Sequence, residues 1–166
     1  MTAALGVGNI ALYAAVYTPL KQLHPINTWV GAIVGAIPPL MGWAAATGSI
    51  DPGGCFLAAV LYFWQLPHFM SLAWMCREDY TRGGHQMISK LDATGRRTAG
   101  VALRNALALV PLGLCAVNLG VVEPPFVYES VGLSLVLALS ASAFYTRPSQ
   151  QVRSPLQLGW IAAYPV

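Results

Sequence analysis

Residues 55–80 read CFLAAVLYFWQLPHFMSLAWMCREDY. From Cys55 to Cys76 there is no Asp, Glu, Lys or Arg, and the run is about as long as the ~20 apolar residues that carry an α-helix across a bilayer. Only Gln65 and His68 are strongly polar within it, and Arg77-Glu78-Asp79 then ends it with three charges in a row. Working outward, comparable apolar runs lie at 1–19, 28–46, 98–122 and 126–145. The expectation is an all-α, polytopic transmembrane helix bundle with five full spans. The chain is 56% hydrophobic and only 9% charged, against roughly 25% charged in soluble domains, so lipid is the main solvent. A sixth apolar run, 156–166, has about half the length of a span. It reads as a truncated stub, and residues 1–166 as one partial membrane domain. Met1 opens directly into apolar sequence, with no basic leader or small-residue cleavage site. Any organelle address is therefore expected upstream of this chain.

The nine Lys and Arg residues are distributed asymmetrically. Lys21 lies in the first connection. Arg77, Arg82, Lys90, Arg96 and Arg97 lie in the third, with Arg104 just inside the helix that follows, and Arg147 and Arg153 lie in the fifth. The second connection, around Asp51, and the fourth, around Glu123, carry none. Alternating spans put all nine on one face, which the positive-inside rule makes cytoplasmic, or the matrix face of a mitochondrial inner membrane. The net charge of +3 thus follows topology and does not mark a nucleic-acid surface. Cys55, Cys76 and Cys115 form no C-x-x-C pair and read as core-filling residues.

The long third connection is where binding and catalytic groups are expected. At its start, Asp79 with Glu78 can supply hard oxygen ligands to a Mg²⁺ ion that grips a diphosphate. A solvated salt-bridge rim with Arg77 is the competing account. His68 at membrane depth is a functional candidate, or a hydrogen-bonding link to a neighbouring helix. His68 and Asp79 are eleven residues apart, close to three turns and about 16 Å of rise. On one unbroken helix they share a face, unless Pro67 reorients the chain. That arrangement suits an amphiphile with an anionic head above an apolar or aromatic body, bordered more deeply by Gln65 and Trp64. Tyr17 and Lys21 are one turn apart at the end of the first span. They can hold phosphate oxygens, or be an interfacial Tyr and a snorkelling Lys. Pro38, Pro39, Pro67 and Pro111 break the apolar runs and remove backbone donors.

Taken together, Tyr17-x-x-x-Lys21, Gly35-Ala-Ile-Pro-Pro-Leu-Met-Gly-Trp43, Trp64-x-x-Pro67-His68-Phe69 and Asp79-Tyr80 resemble the UbiA-type intramembrane prenyltransferases, specifically the haem O synthase branch, over about residues 1–115. The resemblance implies a nine-helix bundle, of which these spans look like the fourth to eighth. It also implies transfer of a farnesyl group from farnesyl diphosphate to a vinyl group of protoheme IX, which makes haem b a substrate. Mg²⁺ would bridge the diphosphate. On this chain Asp79 and Lys21 would be catalytic, with Asp79 and Glu78 at the metal. Tyr17, Arg77, His68, Gln65 and Trp64 would bind substrate, with His68 facing the haem. Implied partners are a lipid bilayer, a second copy of the chain, and haem A synthase downstream. The location implied is the mitochondrial inner membrane, or alternatively a bacterial plasma membrane.

Two departures stand out. The superfamily's first Asp-rich motif is absent, and Gly83 stands where many relatives have a second Asp. The chain by itself is therefore expected to be inactive. Two alternatives remain: a non-enzymatic transporter or assembly segment with helices broken around a path, and a prenyltransferase acting on a quinone precursor.

Overall fold

The computed structural model describes residues 1–147. The apolar stub at 156–166 and Arg153 lie outside the described residues. Five helices are long and apolar enough to cross a membrane, and among the described residues there is no strand. The first crossing runs from Thr2 to Leu23 as α1 (Thr2–Ala11), a π-helical turn (Leu12–Tyr17) and α2 (Thr18–Leu23). The others are α3 (Asn27–Thr47), α4 (Pro52–Met75), α6 (Arg96–Asn118) and α7 (Phe126–Thr146), with a short helix α5 (Arg77–Arg82) and a 3₁₀ turn (Ile88–Leu91) in the third connection. The protein is an integral membrane protein.

Helix ends differ from the sequence expectation by up to four residues, and local chemistry explains each shift. The first crossing extends to Leu23 because the chain turns extended only at His24, the residue before Pro25, where helical geometry is disfavoured. Helix α4 begins early because Asp51 Oδ1 accepts from the amides of Gly53 and Gly54, an N-cap. Helix α6 ends at Asn118, and Gly120 follows with φ 65°, as glycine readily allows. The prolines that punctuate the apolar runs are held within continuous helices. Pro38 and Pro39 lie inside α3, Pro67 inside α4 and Pro111 inside α6. Bending a helix sacrifices one or two backbone bonds, whereas opening it in lipid would expose many.

The crossings pack in chain order: the first on α3, α3 on α4, α4 on α6, and α6 on α7. Small residues let the backbones approach. Ala32, Ala99, Ala102, Ala106, Ala138 and Ala141 alternate in the core with Leu66, Met70, Trp74 and Phe144. A Cβ at Gly54 would lie 2.8 Å from the Trp43 ring, so glycine there seats the indole of α3 against α4.

Asp92 closes the third connection onto α6. It is 5% exposed. Its Oδ1 accepts from the amides of Thr94 and Gly95, and its Oδ2 accepts from the amide and hydroxyl of Thr98 at 2.8 and 2.9 Å. Burial alone would raise this carboxyl, but the Thr98, Thr94 and Gly95 donors outweigh it and hold Asp92 below its ordinary value. A lowered carboxylate stabilises the fold fully above its unfolded value of about 3.9. The stabilisation disappears as pH falls through the lower folded-state value. Asp92→Ala is expected to cost about 1–3 kcal/mol at pH 7, because it orphans buried donors. In detergent thermal melts, the gap between natural and variant protein should be constant from pH 7 to pH 5 and narrow only in stronger acid.

Candidate functional site

Pro19 shapes the first element of the site. It has no N–H, and its ring crowds the carbonyl one turn back. The preceding turn, Leu12–Tyr17, is π-helical, a geometry often found at functional sites. Thr18 supports that turn by donating its hydroxyl to Tyr13 O at 2.9 Å. The consequence is a cluster of Tyr13, Tyr17 and Lys21. The two phenol rings are 5.5 Å apart, and Lys21 Nζ lies 4.4 Å from the Tyr17 centroid and 5.4 Å from that of Tyr13. Gly31 lets Tyr17 lie against α3, since a Cβ there would be 2.8 Å from the ring.

Two connections close over this cluster. Asn27, 2% exposed, donates both Nδ2 hydrogens to backbone carbonyls, His24 O at 2.8 Å and Gln86 O at 2.6 Å. Gln86 N in turn donates to Lys21 O at 2.7 Å. The first and third connections are thus neighbours at one end of the bundle, as their shared positive charge implies. Beneath them lies a cavity of about 150 Å³ whose polar lining includes Tyr17, Lys21, Thr28, Tyr80 and His85, with Phe69 on its apolar side. Tyr80 and His85 meet edge to face at 5.8 Å. Burial pushes the Tyr80 phenol up, with the Cys76 thiol adding to the shift, so at neutral pH it is a hydrogen-bond donor.

The other sequence candidates lie elsewhere. Asp79 is 71% exposed and pairs with Arg82 at 2.6 Å. Glu78 and Arg77 line a separate, open polar pocket with Arg82 and Lys90. Arg77 caps α4 by donating to Trp74 O, its guanidinium 4.8 Å from the Trp74 ring. Gln65 donates from Nε2 to Ala32 O at 2.7 Å, fastening α4 to α3. His68 stacks on Trp64, 6.1 Å between centroids and 4° between planes, with Phe69 at its edge. A non-helical turn at Cys76, φ −97° and ψ 22°, lies between His68 on α4 and Asp79 on α5. Phe69 and Tyr80, also eleven residues apart, line one cavity across that turn.

Thr28, His85 and the bridging Asn27 were not singled out by sequence reasoning. A buried amide is a signal only once its partner carbonyls are known, and Gln86 is remote in sequence. The Asn27-Thr28 pair at the charged end of a span was the available hint. Among the described residues, no three His, Cys, Asp or Glu side chains converge as a metal site.

The sequence profile of the UbiA prenyltransferase family matches residues 1–161. Among curated proteins, a relative from Arabidopsis thaliana, "Protoheme IX farnesyltransferase, mitochondrial", is 56% identical over 87% of this chain and 34% of its own length. The Homo sapiens protein of the same name is 47% identical over 87% of the chain and 32% of its own length. "Protoheme IX farnesyltransferase" of Anaeromyxobacter sp. is 46% identical over 87% and 48%. The chain thus spans a third to a half of the length of these relatives. No solved structure matches it.

Asn27→Ala is expected to leave the carbonyl of Gln86 without its buried donor, at a cost of about 1–3 kcal/mol, while His24 O keeps the backbone N–H of residue 27. Limited proteolysis should then cut between residues 83 and 91 several-fold faster than in the natural chain. An unchanged cutting rate would mean that Asn27 does not hold the two connections together.

Proposed function

This chain belongs to the UbiA prenyltransferase family. On that footing we propose that it forms part of an enzyme transferring a farnesyl group from farnesyl diphosphate to a vinyl group of protoheme IX. The observation that carries the proposal is the cavity at the basic face. It joins an ammonium, two phenols, a hydroxyl and an imidazole beside an apolar wall. Such donors suit an anionic head, and the spans below suit an isoprenoid tail. The names of the relatives support haem over a quinone precursor as acceptor.

In this scheme Lys21 neutralises diphosphate oxygens as a point charge. The phenols of Tyr17 and Tyr80 donate to the same group, and burial keeps Tyr80 protonated for that role. Asn27 is a positioning residue, since its amide hydrogens are already committed to holding the two connections. The allylic C–O bond breaks and its electron pair leaves with the diphosphate. The vinyl carbon attacks the resulting allylic cation. Water then adds to the cation left beside the porphyrin and loses a proton, which completes a hydroxyethylfarnesyl group. Helices closed around the tail exclude water from the first cation.

UbiA-type prenyltransferases generally use a metal ion for the diphosphate. Mg²⁺ commonly takes only one or two carboxylates and fills its shell with phosphate oxygens and water. Asp79 with neighbouring Glu78 is a donor set of that size, although Asp79 here faces Arg82. When bound, Mg²⁺ supplies charge stabilisation for the departing diphosphate. His68, stacked on Trp64, forms an aromatic surface suited to a porphyrin plane. The setting proposed is a mitochondrial inner membrane with the basic connections on the matrix side.

The test is titration of the chain in lipid nanodiscs with a non-hydrolysable farnesyl diphosphate analogue, followed by tryptophan fluorescence. Removing one charged donor costs about 1.5–3 kcal/mol. Lys21→Ala is therefore expected to weaken binding about tenfold to a hundredfold, while His68→Ala should weaken only haemin, read from its absorption spectrum. Equal affinity of the natural chain for inorganic diphosphate and the analogue would remove the isoprenoid part of the proposal.

A further inference from the structure

Arg96, Arg97 and Arg104 of α6 and Tyr145 of α7 line an open groove of about 630 Å³, whose apolar wall includes Val101 and Leu103. None of the three guanidiniums has an ion pair or hydrogen bond among the described residues. Among the described residues no carboxylate lies within ion-pair distance of them. Of the chain's six Asp and Glu residues, Asp51, Glu123 and Glu129 sit at the opposite ends of the crossings. Asp79 is taken by Arg82, and both oxygens of Asp92 are taken by the start of α6. Glu78 lines the separate pocket with Arg77 and Lys90. Residues 148–166 contain neither Asp nor Glu.

Eight residues separate Arg96 from Arg104, about 12 Å along the helix axis. The guanidiniums therefore run from the basic face toward membrane depth, where an uncompensated charge is costly. At the level of the lipid headgroups, beside an apolar wall, a phosphate supplies the missing counter-charge. The planar guanidinium fork matches phosphate oxygens bidentately, and basic pockets between transmembrane helices on this side suit acidic headgroups.

We propose that this groove holds an acidic phospholipid from the leaflet at the basic face. Its phosphate sits on Arg97 and Arg104, Tyr145 flanks the headgroup, and an acyl chain lies along Leu103. The site is separate from the cavity around Lys21 and does not rest on the prenyl-transfer proposal.

The experiment is native mass spectrometry of the 166-residue chain released from nanodiscs of phosphatidylcholine containing a minor fraction of phosphatidylglycerol. The expected result is retention of phosphatidylglycerol on the natural chain beyond its share of the nanodisc lipid. Each Arg near an anionic surface contributes about 1 kcal/mol, so R97Q with R104Q should lower retention about thirtyfold. R97K with R104K keeps the charge and should retain most of the lipid. R82Q with K90Q removes the same two charges from the same face and should leave retention nearly unchanged. Equal loss in both neutralised pairs would overturn the site in favour of diffuse surface attraction. Displacement of the lipid by millimolar inorganic phosphate would overturn the lipid in favour of a free anion. A melting temperature in pure phosphatidylcholine that is the same for R97Q with R104Q as for the natural chain excludes misfolding as the cause.

Discussion

Inside the hydrocarbon there is no water to hydrogen-bond a backbone amide, so each must find its partner within its own helix. The rest of the molecule is arranged around that constraint. It makes the five crossings continuous through Pro38, Pro39, Pro67 and Pro111. It confines extended backbone to the membrane faces. It also leaves a proline near a helix end, such as Pro19, to be accommodated by a looser turn and not by a break. That looser turn carries Tyr13 and Tyr17, with Lys21 one turn beyond, so a backbone requirement sets the geometry of the most reactive-looking cluster in the chain.

At the basic face the constraint relaxes, and side chains take over the work of satisfying the backbone. Asn27 and Asp92 do this with opposite chemistry. The Asn27 amide supplies hydrogens to two carbonyls from different connections, whereas the Asp92 carboxylate supplies oxygens to the free N–H groups at the start of α6. An amide could not replace the second and a carboxylate could not replace the first. Between them they hold the third connection against α2 and α6, which is why Tyr80 and His85 can stand over Lys21 instead of dangling in water.

Scarcity of acid is the other organising fact. Nine cations face six carboxylates, and half of those carboxylates are stranded at the far ends of the helices. The basic face therefore keeps unneutralised Lys and Arg, among them Lys21 and the three Arg residues along α6. The diphosphate we propose at the first and the lipid phosphate we propose at the second are both answers to the same imbalance. Membership of a prenyltransferase family gives the first a chemical purpose.

The sequence by itself determined the fold class, the five crossings and the common side of the basic connections, because length, hydropathy and loop charge are local properties that lipid translates directly into topology. The pairing of Tyr17 with Lys21 was legible for the same reason, being a contact within one helix turn. Only the tertiary structure decided which residues share a cavity. A bond across fifty-nine residues, Asn27 to Gln86, joins the first and third connections, and Thr28, Tyr80 and His85 line one cavity with Lys21. That bond has no periodicity to announce it, since it depends on where one chain segment meets another in space.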